Sequence, residues 1–307
     1  MGCCSVRGCR AALLVSLTLE LVLPRAVPAQ RGLAPPPRQA AQSASRLVDK
    51  LDSLCWVAFA PTQWNPAQRR VPSAASIRRD LLVLRRAGFN GLVTYDANMR
   101  LAQLASATGF AGVIVGVWDP TSSAEMDLAR SVAALATVVG YVVGNEGLEV
   151  RYRYDTLRHA IDALRNDTGK PVTTTEQIED YADPKVLALG DWLFPNAHPY
   201  FHSLTAPEIA LRWTVDRFDS LSARTQKPVM FKEVGLPTAG DPRLSEQSQA
   251  DYYAALSHSH VRFAWFEAFD QPWKKDLPVE PHWGLFRADR TPKPVVSKAC
   301  RVNNPKR

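Results

Sequence analysis

Eight short runs rich in β-branched and aromatic residues recur along the chain, each separated from the next by a longer segment of mixed polarity. They are CWVAFAP (55–61), GLVTYD (91–96), GVIVGVWD (112–119), GYVVGNE (140–146), KPVTTTEQ (170–177), WLFPNAHPY (192–200), KPVMFKEVG (227–235) and VRFAWFEAFD (261–270). The intervening segments have helical spacing. In SAASIRRDLLVLRRAG an apolar stripe of Ile77, Leu81, Leu82 and Leu84 lies beside Arg and Asp, and TLRHAIDALRNDTG closes at Gly169. TAPEIALRWTVDRFDSLSART begins with Thr205 and has Glu208 three residues on, the pattern of a capping box. Strand–helix alternation repeated eight times predicts an α/β fold, a single-domain (β/α)₈ TIM barrel. Periodicity does not see closure, so an open sheet is the alternative.

The ends of the chain carry other signals. Residues 1–29 have a basic start (Arg7, Arg10), an apolar stretch from Ala11 to Pro24 and a small-residue site at Val27-Pro28-Ala29, the three parts of a secretory signal peptide. The apolar part is too short to span a bilayer, and a retained signal anchor is the alternative. Residues 30–48, rich in Pro, Gln, Ala and Ser, read as a flexible linker, and 301–307 as a basic tail. The barrel then occupies 49–300, close to the ~250 residues typical of the fold. The predicted protein is secreted or periplasmic, monomeric, and without a membrane span in its mature form.

Of the net charge of +7, the leader (three Arg against one Glu) and the tail (Arg301, Lys306, Arg307) account for five, leaving +2 for the rest. No clustered basic stripe speaks for nucleic-acid binding. Three of five Cys fall in the leader, and no Cys/His cluster suggests a metal site. Cys55 and Cys300, at opposite ends of the proposed domain, become neighbours if first and last strands meet, and an oxidising compartment would allow a bridge between them, which the sequence leaves open. No cofactor is implied, since no Gly-rich phosphate loop follows the first run.

Two carboxylates stand at strand ends. KPVTTTE and KPVMFKE share one register, and alternation puts Val229, Phe231 and Glu233 on one face and Lys232 on the other. Val142, Gly144 and Glu146 share a face of the fourth run, with Asn145 beside them. If those faces point inward, Glu146 and Glu233 meet at the carboxyl end of the barrel, where barrel enzymes build their active sites. Two carboxylates flanking a sugar are the parts of a glycosidase, ~5–5.5 Å apart in a retaining enzyme and ~6.5–9.5 Å in an inverting one. Trp118, Tyr200 and Trp273, at strand ends or in loops, are expected to stack on sugar rings, as is Trp283; Trp56, Trp192 and Trp213 read as core.

VGNEGL, FKEVGLPTAG, WFEAFDQPWK and HWGLFRADRTPKP, together with RRAGFNGLVTYD and NAHPYF, resemble glycoside hydrolase family 17, the β-1,3-glucan-active retaining barrels, over nearly all of Cys55 to Pro294. The resemblance implies Glu146 as acid/base and Glu233 as nucleophile, with Asn145 on the sugar 2-hydroxyl. It implies further that Glu267 and Lys274 support the pair and bind sugar, that Tyr95 lies near the reacting ring, and that Tyr200 is the aromatic after His-Pro. The chain departs from the family in Val234 to Thr238, which lack the usual Trp, in Lys232, in Asp96, and in Glu176, an added acid counted here among the substrate-binding candidates. The expected partner is a β-glucan oligo- or polysaccharide. Lys274 is expected to favour an ionised Glu233, and desolvation a protonated Glu146. The alternatives are a non-catalytic glycan-binding barrel and a retaining glycosidase of another β-linkage.

Overall fold

The computed structural model describes residues 37 to 300 except Met99. The expected signal peptide, the first residues of the expected linker and the basic tail lie outside them. Among the described residues seven parallel strands form one sheet: β1 (Trp56–Phe59), β2 (Gly91–Thr94), β3 (Gly112–Val117), β4 (Val138–Val143), β5 (Val172–Thr173), β6 (Phe231–Val234) and β7 (Phe263–Trp265). Their order is β5-β4-β3-β2-β1-β7-β6. After the N-terminal α1 (Pro37–Ser53), the helices alternate with the strands: α2 (Ala74–Arg86), α3 (Leu101–Ala107), α4 (Ser123–Ser131), α5 (Tyr154–Thr168), α6 (Pro184–Ala188), α7 (Pro207–Ser222) and α8 (Glu246–Ser257).

The sixth expected strand is not regular, because Pro195 has no N–H to give a ladder. Residues 191–197 nevertheless fill the eighth place. On one side Asp191 N donates to Val172 O (2.9 Å) and Asn196 N to Glu176 O (3.0 Å). On the other, Met230 N donates to Leu193 O (3.0 Å) and Lys232 N to Pro195 O (2.9 Å). Asn196 bridges in parallel to both Gln177 and Glu233, so the edges β5 and β6 are joined and the sheet closes.

Alternation sorts the strand residues into two cores. Val57, Leu92, Val113, Tyr141, Val172, Phe231 and Trp265 pack outward against the helices. Trp56, Val93, Ile114, Val142, Trp192, Phe194, Met230 and Ala264 form a separate cluster that fills the interior near the amino ends of the strands. Leu47 and Leu51 of α1 belong to this inner cluster. The expected linker is therefore helix from Pro37 onward, and its C-terminal part covers the floor of the barrel.

Smaller differences have local causes. Pro207 takes the first position of α7, so Ala206 is the N-cap and the expected Thr205 capping box does not form. Cys55 and Cys300 are bridged, their Cα atoms 5.7 Å apart. The segment HWGLFRADRTPKP is a clamp: Phe286 bridges to Phe269, Arg290 Nε donates to Asp80 Oδ1 on α2 (2.6 Å), and Lys293 Nζ to Asp270 Oδ1 (2.7 Å).

Candidate active site

Glu233 faces the interior, but not by the expected alternation. Val229 and Phe231 pack outward and Met230 inward, so strict period 2 would send Glu233 outward. A register shift between Phe231 and Val234, where β6 pairs β7, breaks the alternation and lets Lys232 and Glu233 both reach the site. Lys232 is thus a site residue, 1 % exposed, and not the outward one expected with Val229 and Phe231 facing inward; Met230 is the inward residue, and Lys232 follows it. Its Nζ donates to Glu233 Oε1 (2.8 Å) and to Asn145 Oδ1, and lies 4.4 Å from the centre of the Tyr95 ring.

The other oxygen of Glu233 is 3.3 Å from His198 Nε2. The His198 ring is held edge-on by Phe266 and Trp283, at 5.0 and 5.1 Å between centroids. Burial alone would push the Glu233 carboxyl up; Lys232 and His198 more than offset it and hold it down at about 2. The cation that does this is Lys232, not Lys274 as expected, because Lys274 Nζ is committed to Glu267 Oε1 at 2.7 Å.

Glu146 follows β4 through a sharp turn. Gly144 has φ +80, and a Cβ there would lie 2.3 Å from the Tyr152 hydroxyl, so only glycine fits. Glu146 itself has φ +49 and is pinned by its N–H to Thr175 O (2.9 Å). Asn196 Nδ2 donates to Glu146 Oε1 at 2.6 Å, and Thr175 Oγ1 fixes the Asn196 amide from behind (3.1 Å). Glu146 is exposed in the open cleft, not buried as the apolar run before it suggests. One oxygen each of Glu146 and Glu233 and a ring nitrogen of His198 lie within 4.8 Å of one another. Although three such groups have the spacing of a cation site, the Lys232 ammonium already supplies the positive charge.

Glu267 is 1 % exposed. Burial pushes its carboxyl up to about 7 against the pull of Lys274, with Glu233 and Asp270 adding to the rise. The Tyr95 hydroxyl is buried beside Glu233 and Glu267, and burial and both charges keep it well above the usual phenol range. Glu267 Oε2 and His198 Nδ1 are buried without a hydrogen-bond partner among the described residues. The cleft over the carboxylates is walled by Gln177, Ile178, Phe201, His202, Glu280 and Trp283.

The remaining expected residues divide. Asn145, Tyr95, Glu267 and Lys274 join the carboxylate cluster through the contacts above. Tyr200 and Trp283 sit edge to face at 6.2 Å beside the cleft. Trp273 packs edge-on against Trp64 (5.3 Å) at the rim. Trp118 is 42 % exposed, with the Arg151 guanidinium 4.4 Å over one face. Glu176 is not brought into the cleft: it accepts from the Tyr152 hydroxyl (3.2 Å) and from Leu148 N (3.4 Å), bracing the loop that carries Glu146. Burial pushes its carboxyl up to about 7. His198, Asn196 and Lys232 are the functional candidates that pattern reading passed over. His198 and Asn196 had a signal, a polar pair in NAHPY at a strand's carboxyl end.

Residues 57–284 match the model of the BtgE/BtgC glycoside hydrolase domain family. A probable glucan endo-1,3-beta-glucosidase, btgC, of Aspergillus flavus is 27 % identical over 230 residues, covering 59 % of this chain and 33 % of its own. The chain thus spans about a third of the length of that relative. Glucan 1,3-beta-glucosidase BGL2 of Candida albicans is 24 % identical over 244 residues, covering 66 % of this chain and 78 % of its own. Among solved structures, an active-site mutant of the Rhizomucor miehei beta-1,3-glucanosyltransferase in complex with laminaritriose superposes with a TM-score of 0.67 at 23 % identity, over 79 % of this chain and 96 % of that one. An endo-laminarinase from Formosa Hel1_33_131 does so with a TM-score of 0.68 at 17 % identity, over 79 % and 85 %. At such identities the structural likeness speaks for the fold.

Proposed function

The chain belongs to the BtgE/BtgC glycoside hydrolase domain family, within glycoside hydrolase family 17, and from that membership we propose that it is an exported, monomeric, retaining enzyme acting on β-1,3-linked glucan, by hydrolysis or transglycosylation. The observation that carries the reading is the pair Glu146 and Glu233, with carboxylate oxygens within 4.8 Å at the carboxyl ends of β4 and β6. An oxygen pair that close supports the ~5–5.5 Å separation of a retaining enzyme over the ~6.5–9.5 Å of an inverting one.

Glu233, held ionised by Lys232 and His198, attacks the anomeric carbon. Glu146 gives its proton to the departing glycosidic oxygen, with Asn196 holding one carboxylate oxygen so that the other faces the bond. The glycosyl-enzyme is then resolved when Glu146 takes a proton from water or from a sugar hydroxyl. Both outcomes use the same residues and differ only in the acceptor. Tyr95, Asn145, Glu267 and Lys274 surround the reacting ring, where the buried Glu267 Oε2 has no hydrogen-bond partner among the described residues. The bridge between Cys55 and Cys300 fits export to an oxidising compartment. Among the described residues no helix is long and apolar enough to cross a membrane.

The test is a product profile on β-1,3-, β-1,2-, β-1,4- and mixed-linkage glucans, followed by azide rescue with an activated aryl glucoside. Glu146→Ala with azide should give the β-glucosyl azide and Glu233→Ala the α-azide. Opposite stereochemistries would swap the roles. Two variants that bind glucan but are not rescued, with a wild type that forms no product, would leave a binding module.

A further inference from the structure

Lys232 follows the inward-facing Met230 in strand alternation, and the register shift in β6 brings Glu233 to the same side. An ammonium has three N–H donors and no acceptor. Two of them serve Glu233 Oε1 and Asn145 Oδ1, and the third side of the group faces the Tyr95 ring. None is left for a sugar, and at 1 % exposure none reaches solvent. Because Lys232 only donates, the Asn145 atom it meets must be the carbonyl oxygen, so the amide N–H₂ of Asn145 points the other way. Two side chains on opposite staves of the barrel, from β4 and β6, are thereby tied to one cation.

We propose that Lys232 is a positioning residue of the reaction: its ammonium aims and counterbalances the Glu233 carboxylate while turning the Asn145 amide so that N–H, rather than C=O, faces the donor sugar. This rests on the assignment of Glu233 as nucleophile made above. The charge environment of Glu233 is otherwise mixed. His198 faces it from the 191–198 segment, Tyr95 from the end of β2 and Glu146 from β4. Glu267, its charge shared with Lys274, faces it from the chain after β7, and Glu280 from the cleft wall. The acids in this set oppose ionisation of Glu233, so the ammonium in direct contact is what permits a buried carboxylate there. The register shift in β6 has the same consequence, since it is what brings two successive side chains, cation and nucleophile, to one side of the strand.

The experiment compares wild type with Lys232→Met and Lys232→Arg. In wild type, kcat/KM on laminari-oligosaccharide should keep its acid limb well below the ordinary Glu range of ~4.3. Activity needs the ionised nucleophile, so raising its pKa moves that limb to higher pH. Lys232→Met should shift it up by about 1–3 pH units and lower kcat at the optimum by at least about tenfold, the loss expected when one well-placed hydrogen bond is removed. Lys232→Arg should restore the limb but not kcat, since a planar fork cannot reproduce both contacts. The same limb and kcat in Lys232→Met would overturn the proposal. Should that variant not fold, a ¹³C-carboxyl NMR titration of wild type decides: Glu233 titrating in the ordinary range overturns it, and a depressed titration supports it. The titration needs no turnover. If wild type releases no product from any glucan, the proposed reaction fails, while the Lys232–Glu233 linkage is still judged by NMR.

Discussion

At the amino end of the strands the barrel is filled by Trp56, Val93, Ile114, Val142, Trp192, Phe194, Met230 and Ala264, with Leu47 and Leu51 of α1 packed beneath. At the carboxyl end the same interior holds Lys232, Glu233, Glu267, Lys274 and His198, together with buried atoms that lack partners. The floor buries apolar area, at roughly 25 cal/mol per Å² removed from water. The mouth buries charge, and removing one partner of a buried ion pair costs about 3–5 kcal/mol because the other is left uncompensated. The contrast shows a division of labour along the barrel axis: one end supplies the stability against which the other end can hold an unfavourable constellation in place.

The sharpest way to break that division is to injure each end separately. Glu233→Gln should lose activity by on the order of 10⁴-fold or more, as expected for a nucleophile, and still give a native circular dichroism spectrum. Trp192→Ala should destabilise by about 3–5 kcal/mol in denaturant titrations, with the activity of each remaining folded molecule preserved. Leu51→Ala extends the test to α1, where about 2–4 kcal/mol should be lost if the helix seals the floor. A Leu51→Ala variant as stable as wild type would show that α1 covers nothing of consequence.

Legibility in the sequence follows the same axis. The outer faces of most strands and helices, and the nearness of Cys55 to Cys300, followed from periodicity and chain order because one face of each element is apolar. The irregular stave 191–197 was recognisable only as apolar and β-rich. Pro195 denies it a regular ladder, and its bonds to Val172 and Glu176 on one side and to Val229–Glu233 on the other depend on distant chain. At the mouth, Glu146 and Glu233 were legible from their strand-end positions, but Lys232 was not: the pattern does not tell which face of VMFKE is inward, and the register shift in β6 that brings Glu233 beside Lys232 depends on pairing with β7. Glu176 shows the converse: its register matched Glu233, yet the Tyr152 hydroxyl and Leu148 N–H offered it partners outside the cleft. The helix at 37–53 was hidden by the polar composition of its first half and the proline run that leads into it, while Leu47 and Leu51 carry the packing.

Glu267 sharpens the comparison through pH. Its folded-state carboxyl stands at about 7, above the unfolded value, so it contributes stability that is complete below the unfolded carboxylate pKa and is lost as pH rises through about 7. Glu233 acts in the opposite sense: its folded carboxyl at about 2 contributes stability that is present above the unfolded pKa and lost as pH falls towards 2. Glu267→Gln should therefore flatten the decline of melting temperature between about pH 5 and 7 while leaving the acid side unchanged. An equally steep decline in the variant would place its origin elsewhere.

The smallest effect belongs to Trp118, at the outer edge of the mouth. Arg151 covers one face of its ring and also donates to the carbonyl oxygens of Asn145 and Trp118, so guanidinium and indole together brace the loop that carries Glu146. The ring is still 42 % exposed, enough to offer its other face to a sugar some distance from the cleaved bond. Stacking of this kind contributes about 0.5–1.5 kcal/mol, or roughly a two- to tenfold change in affinity. Trp118→Ala should thus raise KM by that factor for laminari-oligosaccharides long enough to reach it, with little change for the shortest chains and little change in kcat. Arg151→Ala should do the reverse, lowering kcat at every chain length because the loop behind Glu146 loses its anchor. If Trp118→Ala instead lowers kcat uniformly, the ring serves only as a rest for Arg151, and aromatic stacking on outer sugars is left to other rings of the mouth such as Trp64 and Trp273, which pack against each other.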